Sequence, residues 1–114
     1  MTRPERTIQI WQVLINLAHN RQTITYEKLA EIIGMGTMGV VVTQSLETLM
    51  SYCKNNNLPP LTILVVQKHS GIPGLGLTTV EELNSDRENV FNYEWLQLPP
   101  INISEIENLN MPNK

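Results

Sequence analysis

At the middle of the chain stands Asn55-Asn56-Asn57-Leu58-Pro59-Pro60, and neither a helix nor a central strand can run through it. The two prolines remove two backbone donors and clash with a preceding helical turn, while the asparagines favour turns over helix. The break divides the 114 residues into a helical half and a mixed half.

Before it, Ile8, Trp11, Ile15 and Ala18, with Ile10, Leu14 and Leu17 beside them, recur at three- and four-residue spacing. That period predicts an amphipathic helix over residues 4–19, opened by Pro4 and closed by Asn20. The β-prone Gln22-Thr23-Ile24 leads to Thr25, which can cap a helix over 26–33 that Gly34 ends. After the tight turn Gly34-Met35-Gly36-Thr37, residues Val42, Leu46, Leu49, Met50 and Cys53 form the apolar stripe of a third helix reaching about residue 55.

After the break, Leu61-Thr62-Ile63-Leu64-Val65-Val66 has the length and β-branching of a buried strand. Lys68-His69-Ser70-Gly71 reads as a hairpin tip, and residues 72–77, with Pro73, Gly74 and Gly76, as an edge strand or wing. Thr79 with Glu82, and Ser85 with Glu88, have capping-box spacing and predict one or two short helices that carry Val90, Phe91 and Trp95 to the core. Pro99-Pro100 stops them. The domain is therefore expected over 1–98, with 99–114 an asparagine-rich, acidic, loosely ordered tail holding at most a weak turn after Ser104.

Helix, short strand, helix, tight turn, helix, strand, hairpin tip, strand and small helices is the winged-helix order. The expected class is α+β: a helix-turn-helix within three helices, a small antiparallel β wing, and short C-terminal helices.

With the elements in that order, three segments resemble the DNA-binding domain of alkylguanine-DNA alkyltransferases and the non-enzymatic alkyltransferase-like proteins. They are Ile10-Trp11-Gln12-Val13-Leu14, Thr23-Ile24-Thr25-Tyr26-Glu27-Lys28-Leu29-Ala30-Glu31-Ile32-Ile33-Gly34 and Pro60-Leu61-Thr62-Ile63-Leu64-Val65. The resemblance spans about residues 8–76 and implies a DNA-binding role. It also implies a Pro-Cys-His-Arg active-site motif where this chain reads Val66-Gln67-Lys68-His69, and an arginine in the third helix, where residues 37–55 hold none. A glutamine cannot serve as the thiolate nucleophile, so alkyl transfer is excluded and base extrusion lacks its arginine. Cys53, on the apolar stripe, is expected to be a small buried hydrophobe.

Charge separates along the chain. Residues 1–78 hold six Lys and Arg against four Glu, and the remainder holds seven acidic residues against Arg87 and Lys114. The first part is mildly basic, well short of a dedicated nucleic-acid footprint, and the second is acidic. One cysteine and two separated histidines make neither a disulfide nor the usual zinc site, so no metal or cofactor is expected and a reducing cytoplasm is the expected compartment. No apolar stretch has the length of a membrane span, and the start lacks a secretory pattern. The inventory for acid-base or nucleophilic chemistry is thin, so an enzyme is not expected.

Two readings follow. In the first, a non-catalytic module binds nucleic acid through the third helix and the wing. Thr37, Thr43, Gln44, Ser51 and Lys54 on that helix, Lys68 and His69 at the tip, and Arg21 and Lys28 flanking the second helix would make the contacts. In the second, the same scaffold binds a protein, as an inhibitor or adaptor of the kind phages and mobile elements encode. Glu47 on the third helix and the overall acidity favour it. Nothing in the sequence specifies an oligomeric interface.

Overall fold

The computed structural model describes residues 2–34, 39–74 and 81–110. Among them are α1 (Arg3–His19), β1 (Ile24–Thr25), α2 (Tyr26–Ile32), α3 (Gly39–Asn55), β2 (Val65–Val66), α4 (Leu83–Asn92) and α5 (Ile103–Asn110), with 3-10 turns at Leu61–Leu64 and Trp95–Gln97.

α1 begins with a capping box. Thr2 Oγ1 accepts from the Glu5 amide at 3.3 Å, and Glu5 Oε1 accepts from the Thr2 amide at 2.8 Å, which satisfies amides that have no partner inside the helix. Ile10, Trp11, Leu14 and Ala18 then face inward, where α1 packs on α3, α4, α5 and the Leu61–Leu64 turn. Thr25 caps α2 by accepting from the Lys28 amide at 3.1 Å, and Gly34, at φ 79°, turns the chain out of it. α3 lays Val42, Leu46, Leu49 and Cys53 against the core, and α2 packs on α3. Thr7 and Ser45, both fully buried, join α1 to α3 through a hydroxyl pair at 2.9 Å.

The expected winged helix, with three helices and an antiparallel wing, is not what the chain forms. The described residues contain five α-helices and a two-strand parallel sheet, with Ile24 beside Val65 and Thr25 beside Val66. The pairing is parallel because β1 ends directly in α2 and the chain returns to it only after α3, a crossover that brings β2 back in the same direction. Among the described residues the wing reduces to a single antiparallel bridge between Val66 and Pro73. Pro73 has no amide to continue a ladder, and the chain between closes on itself through Gly71 N–H to Gln67 O at 2.9 Å and Gln67 N–H to Ile72 O at 3.0 Å. Residues 75–77 of the expected wing strand lie outside the described residues.

Three other elements differ from expectation. Residues 61–64 are a 3-10 turn, not strand: Leu61 N–H bonds Pro59 O at 2.8 Å and Ile63 N–H bonds Pro60 O at 3.1 Å, so the prolines begin a turn, and the run is buried on every side. Such a run has no period to separate turn from strand. The Ser85–Glu88 spacing falls inside α4, which starts at Leu83; Thr79, of the other expected box, lies outside the described residues. After Pro100 the chain forms α5 where only a weak turn was expected. Asn102 Oδ1 accepts from the Ser104 amide at 2.9 Å, Glu105 Oε1 accepts from the Asn102 amide at 3.2 Å, and Ile106 is fully buried.

Candidate functional site

α3 is the element on which the expected contacts are densest. With Val42, Ser45, Leu46, Leu49 and Cys53 inward, the helical period turns Glu47, Ser51 and Lys54 to solvent, with Thr43 and Gln44 half-buried at the edges of the same face. The large hydrophobics that are exposed elsewhere in the described residues are Ile32, Ile72, Leu96 and Ile103, none of them on α3. Lys54 lies in the last turn, where a cation complements the helix dipole. Glu47 stands at the centre of this face. Thr37 lies outside the described residues.

The hairpin tip meets the first turn of α2. Lys68 Nζ is 3.6 Å from Glu27 Oε1, and one turn further along Lys28 Nζ is 3.4 Å from Glu31 Oε1. The fold thus gathers two of the expected cations, Lys28 and Lys68, and interleaves them with two carboxylates. His69 is exposed beside Lys68. Arg21 is placed elsewhere: its Nη2 reaches Glu88 Oε2 on α4 at 2.7 Å, and its guanidinium lies 4.9 Å from the centre of the Phe91 ring. It ties the end of α1 to α4.

Sequence reasoning missed the groups that hold the tip in place. Arg87 Nη2 on α4 donates to the Gly71 carbonyl at 2.8 Å. Beneath the tip lies Tyr26, whose hydroxyl is shut off from solvent and has no well-aligned hydrogen-bond partner among the described residues. Burial pushes this phenol above its usual value, and the facing Gly74 backbone pulls it back less strongly. A β-carbon at position 74 would sit 3.1 Å from Tyr26 Oη and 3.2 Å from Gln67 Nε2, so glycine is what allows the close approach. No spacing rule joins residues 26, 74 and 87, and nothing local in the sequence could have found them.

The chemistry within reach is limited. Cys53 is 2% exposed, and burial pushes its thiol up to about 11, leaving little thiolate near neutrality. Gln67, where the alkyltransferase resemblance would place a nucleophile, is exposed, and its Oε1 accepts from Ser70 Oγ at 3.3 Å. Among the described residues no three His, Cys, Asp or Glu side chains gather as a metal site, and no helix is long and apolar enough to cross a membrane. Compared with the profiles of known protein families, with curated proteins and with solved structures, the chain matches none.

Proposed function

We propose that the protein is a non-catalytic nucleic-acid-binding module that docks through the solvent face of α3, with the 67–71 tip making flanking phosphate contacts. The observation that carries this is the composition of that face. Thr43, Gln44, Ser51 and Lys54 can donate or accept at base edges and phosphates, and none of the α3 side chains whose burial is described, those from residue 41 onward, is an exposed large hydrophobic that would compete for a different partner. The three segments that resemble the alkyltransferase DNA-binding domain support the same reading, and a buried, protonated Cys53 supports the non-catalytic part.

The carboxylates beside the lysines set the strength. Exposed ion pairs such as Lys68–Glu27 are worth about 0–1 kcal/mol, so a phosphate can displace them, and binding is weak and steeply salt-dependent. Fluorescence anisotropy with labelled duplex and single-stranded DNA tests this. Micromolar binding at low salt that falls a few-fold or more on raising salt, and that weakens in Lys68→Glu with Gln44→Ala while the circular dichroism stays unchanged, is the expected result. No binding at low salt, or an unaltered affinity in that variant, sinks the reading.

A protein-interaction module is the second reading, favoured by one observation: Glu47 at the centre of the face. A tagged copy that keeps one protein at near-stoichiometric yield after nuclease treatment, with no binding to DNA, would place it ahead of the first.

A further inference from the structure

The outward face of α1 is used by neither reading. Residues 7–20 contain no Lys, Arg, Asp or Glu, in a chain that has 19 such residues, and the side chains turned outward are Gln9, Gln12, Asn16, His19 and Asn20. Grooves run along both sides. One, of about 460 Å³, separates Ile8 and Ile15 from Leu96, Leu98 and Pro99. The other, of about 280 Å³, separates Val13 from Ile32 and Ile33. Gln12 and Asn16 line both, and none of the described residues that line either is ionisable. Leu96 and Ile32, at the outer rims, are 62% and 52% exposed.

We propose that this band is the contact face of a homodimer in which α1 of each copy packs antiparallel on the other, crossing near Gln12. Four properties point to a second copy of the chain. First, an interface about a two-fold axis must complement itself, and a side-chain amide both donates and accepts, so Gln12 can satisfy its own image where a charged side chain would repel it. Secondly, the ionisable groups on the outward face are Glu5 at one end and His19 at the other. An antiparallel crossing at residue 12 puts Glu5 of one copy opposite His19 of the other, whereas a parallel one would set Glu5 against Glu5. Thirdly, the area suffices. A 17-residue helix is about 25 Å long, and covering it with both shoulders, a width of about 20 Å, buries about 500 Å² per copy, the lower end for a specific interface. The absence of charge also lets two chains of net charge −3 approach on this side without opposing like charges.

The dimer does not depend on nucleic-acid binding. Sedimentation velocity on the full chain, from micromolar to millimolar concentration, tests it. The expected result is a mass that moves from 13.0 kDa towards twice that value. Gln12→Glu, which sets two carboxylates against each other at the axis, should weaken the association about tenfold or more, and mixing it with Gln12→Lys should restore it. Leu96→Glu should also weaken it, and Lys68→Glu, which lines neither groove, should not; circular dichroism checks that each variant is folded. A mass fixed at 13.0 kDa up to millimolar concentration overturns the proposal. So does an association that Gln12→Glu leaves intact or that Lys68→Glu abolishes.

Discussion

Trp11 shows how much a single residue holds. Its ring meets Tyr52 edge-on at 5.3 Å and Trp95 at 5.6 Å, and Trp95 is in turn fixed by its Nε1–H donating to the Val90 carbonyl at 2.7 Å. One side chain therefore joins α1, α3 and the chain after α4. We expect Trp11→Ala to cost about 3–5 kcal/mol, read as a shift in the urea midpoint. An unmoved midpoint would mean this aromatic cluster carries little of the core's stability. Glu27 opposes the flanking phosphate contacts of the tip, because it occupies Lys68. Glu27→Gln should raise DNA affinity several-fold at low salt, with the gain vanishing as salt is raised. A lowered affinity in that variant would show that Glu27 positions Lys68 productively. Trp11 was legible from its place in a 3.6-residue period. The Lys68–Glu27 pairing was not, since it depends on how a hairpin tip lies over a helix some forty residues earlier in the chain, and no local pattern encodes that.

At the scale of the element, legibility followed periodicity. α1, α2 and α3 have one polar and one apolar face, so their repeat shows in the sequence, and their observed limits lie close to those expected. Residues 61–64 lack that contrast, because the run is buried all round, Thr62 included. α5 has it, with Ile103, Ile106 and Leu109 three residues apart and Ile106 fully buried, but over only eight residues, too short a run for the period to stand out among the asparagines. α5 matters more than its composition shows, because it packs on both α1 and α3. Ile106→Asp should therefore destabilise the whole domain by about 3 kcal/mol or more, since it would bury an unpaired carboxylate in place of a side chain with no exposure. Thermal melting checks this. Two separate transitions, with the larger one unchanged, would mean α5 frays independently. The strand pair leaves no trace in the sequence for a further reason: β1 and β2 are two residues each, too short for alternation to register, and their direction depends on topology.

For the whole molecule, the buried acids set a clear direction for pH dependence. Tyr26, Tyr52 and Cys53 all titrate above their ordinary values, chiefly because burial disfavours their charged forms. Each folded value lies above the unfolded one, so the stabilisation is complete below the unfolded value and is lost as pH rises through the folded one. For Cys53 the window is pH 9 to about 11, and the loss amounts to about 2–3 kcal/mol. Denaturant titrations at pH 8, 9.5 and 11 should show stability falling with pH, and Cys53→Ala should flatten that slope whatever it does to the stability at pH 8. A slope unchanged by the substitution would place the alkaline loss on the tyrosines.

The parallel pairing of β1 with β2 ties residues 24–25 to 65–66 and so encloses α2 and α3 in a closed loop of roughly 40 residues. A helix that detaches inside a loop pinned at the core residues Ile24 and Val65 gains less conformational freedom than one at a chain end. The proposed docking face therefore belongs to the last cooperative unit to open. Its amides should exchange with solvent deuterium at rates close to those of global unfolding, while the amides of the 67–71 tip, held outside the loop by Arg87, exchange much sooner.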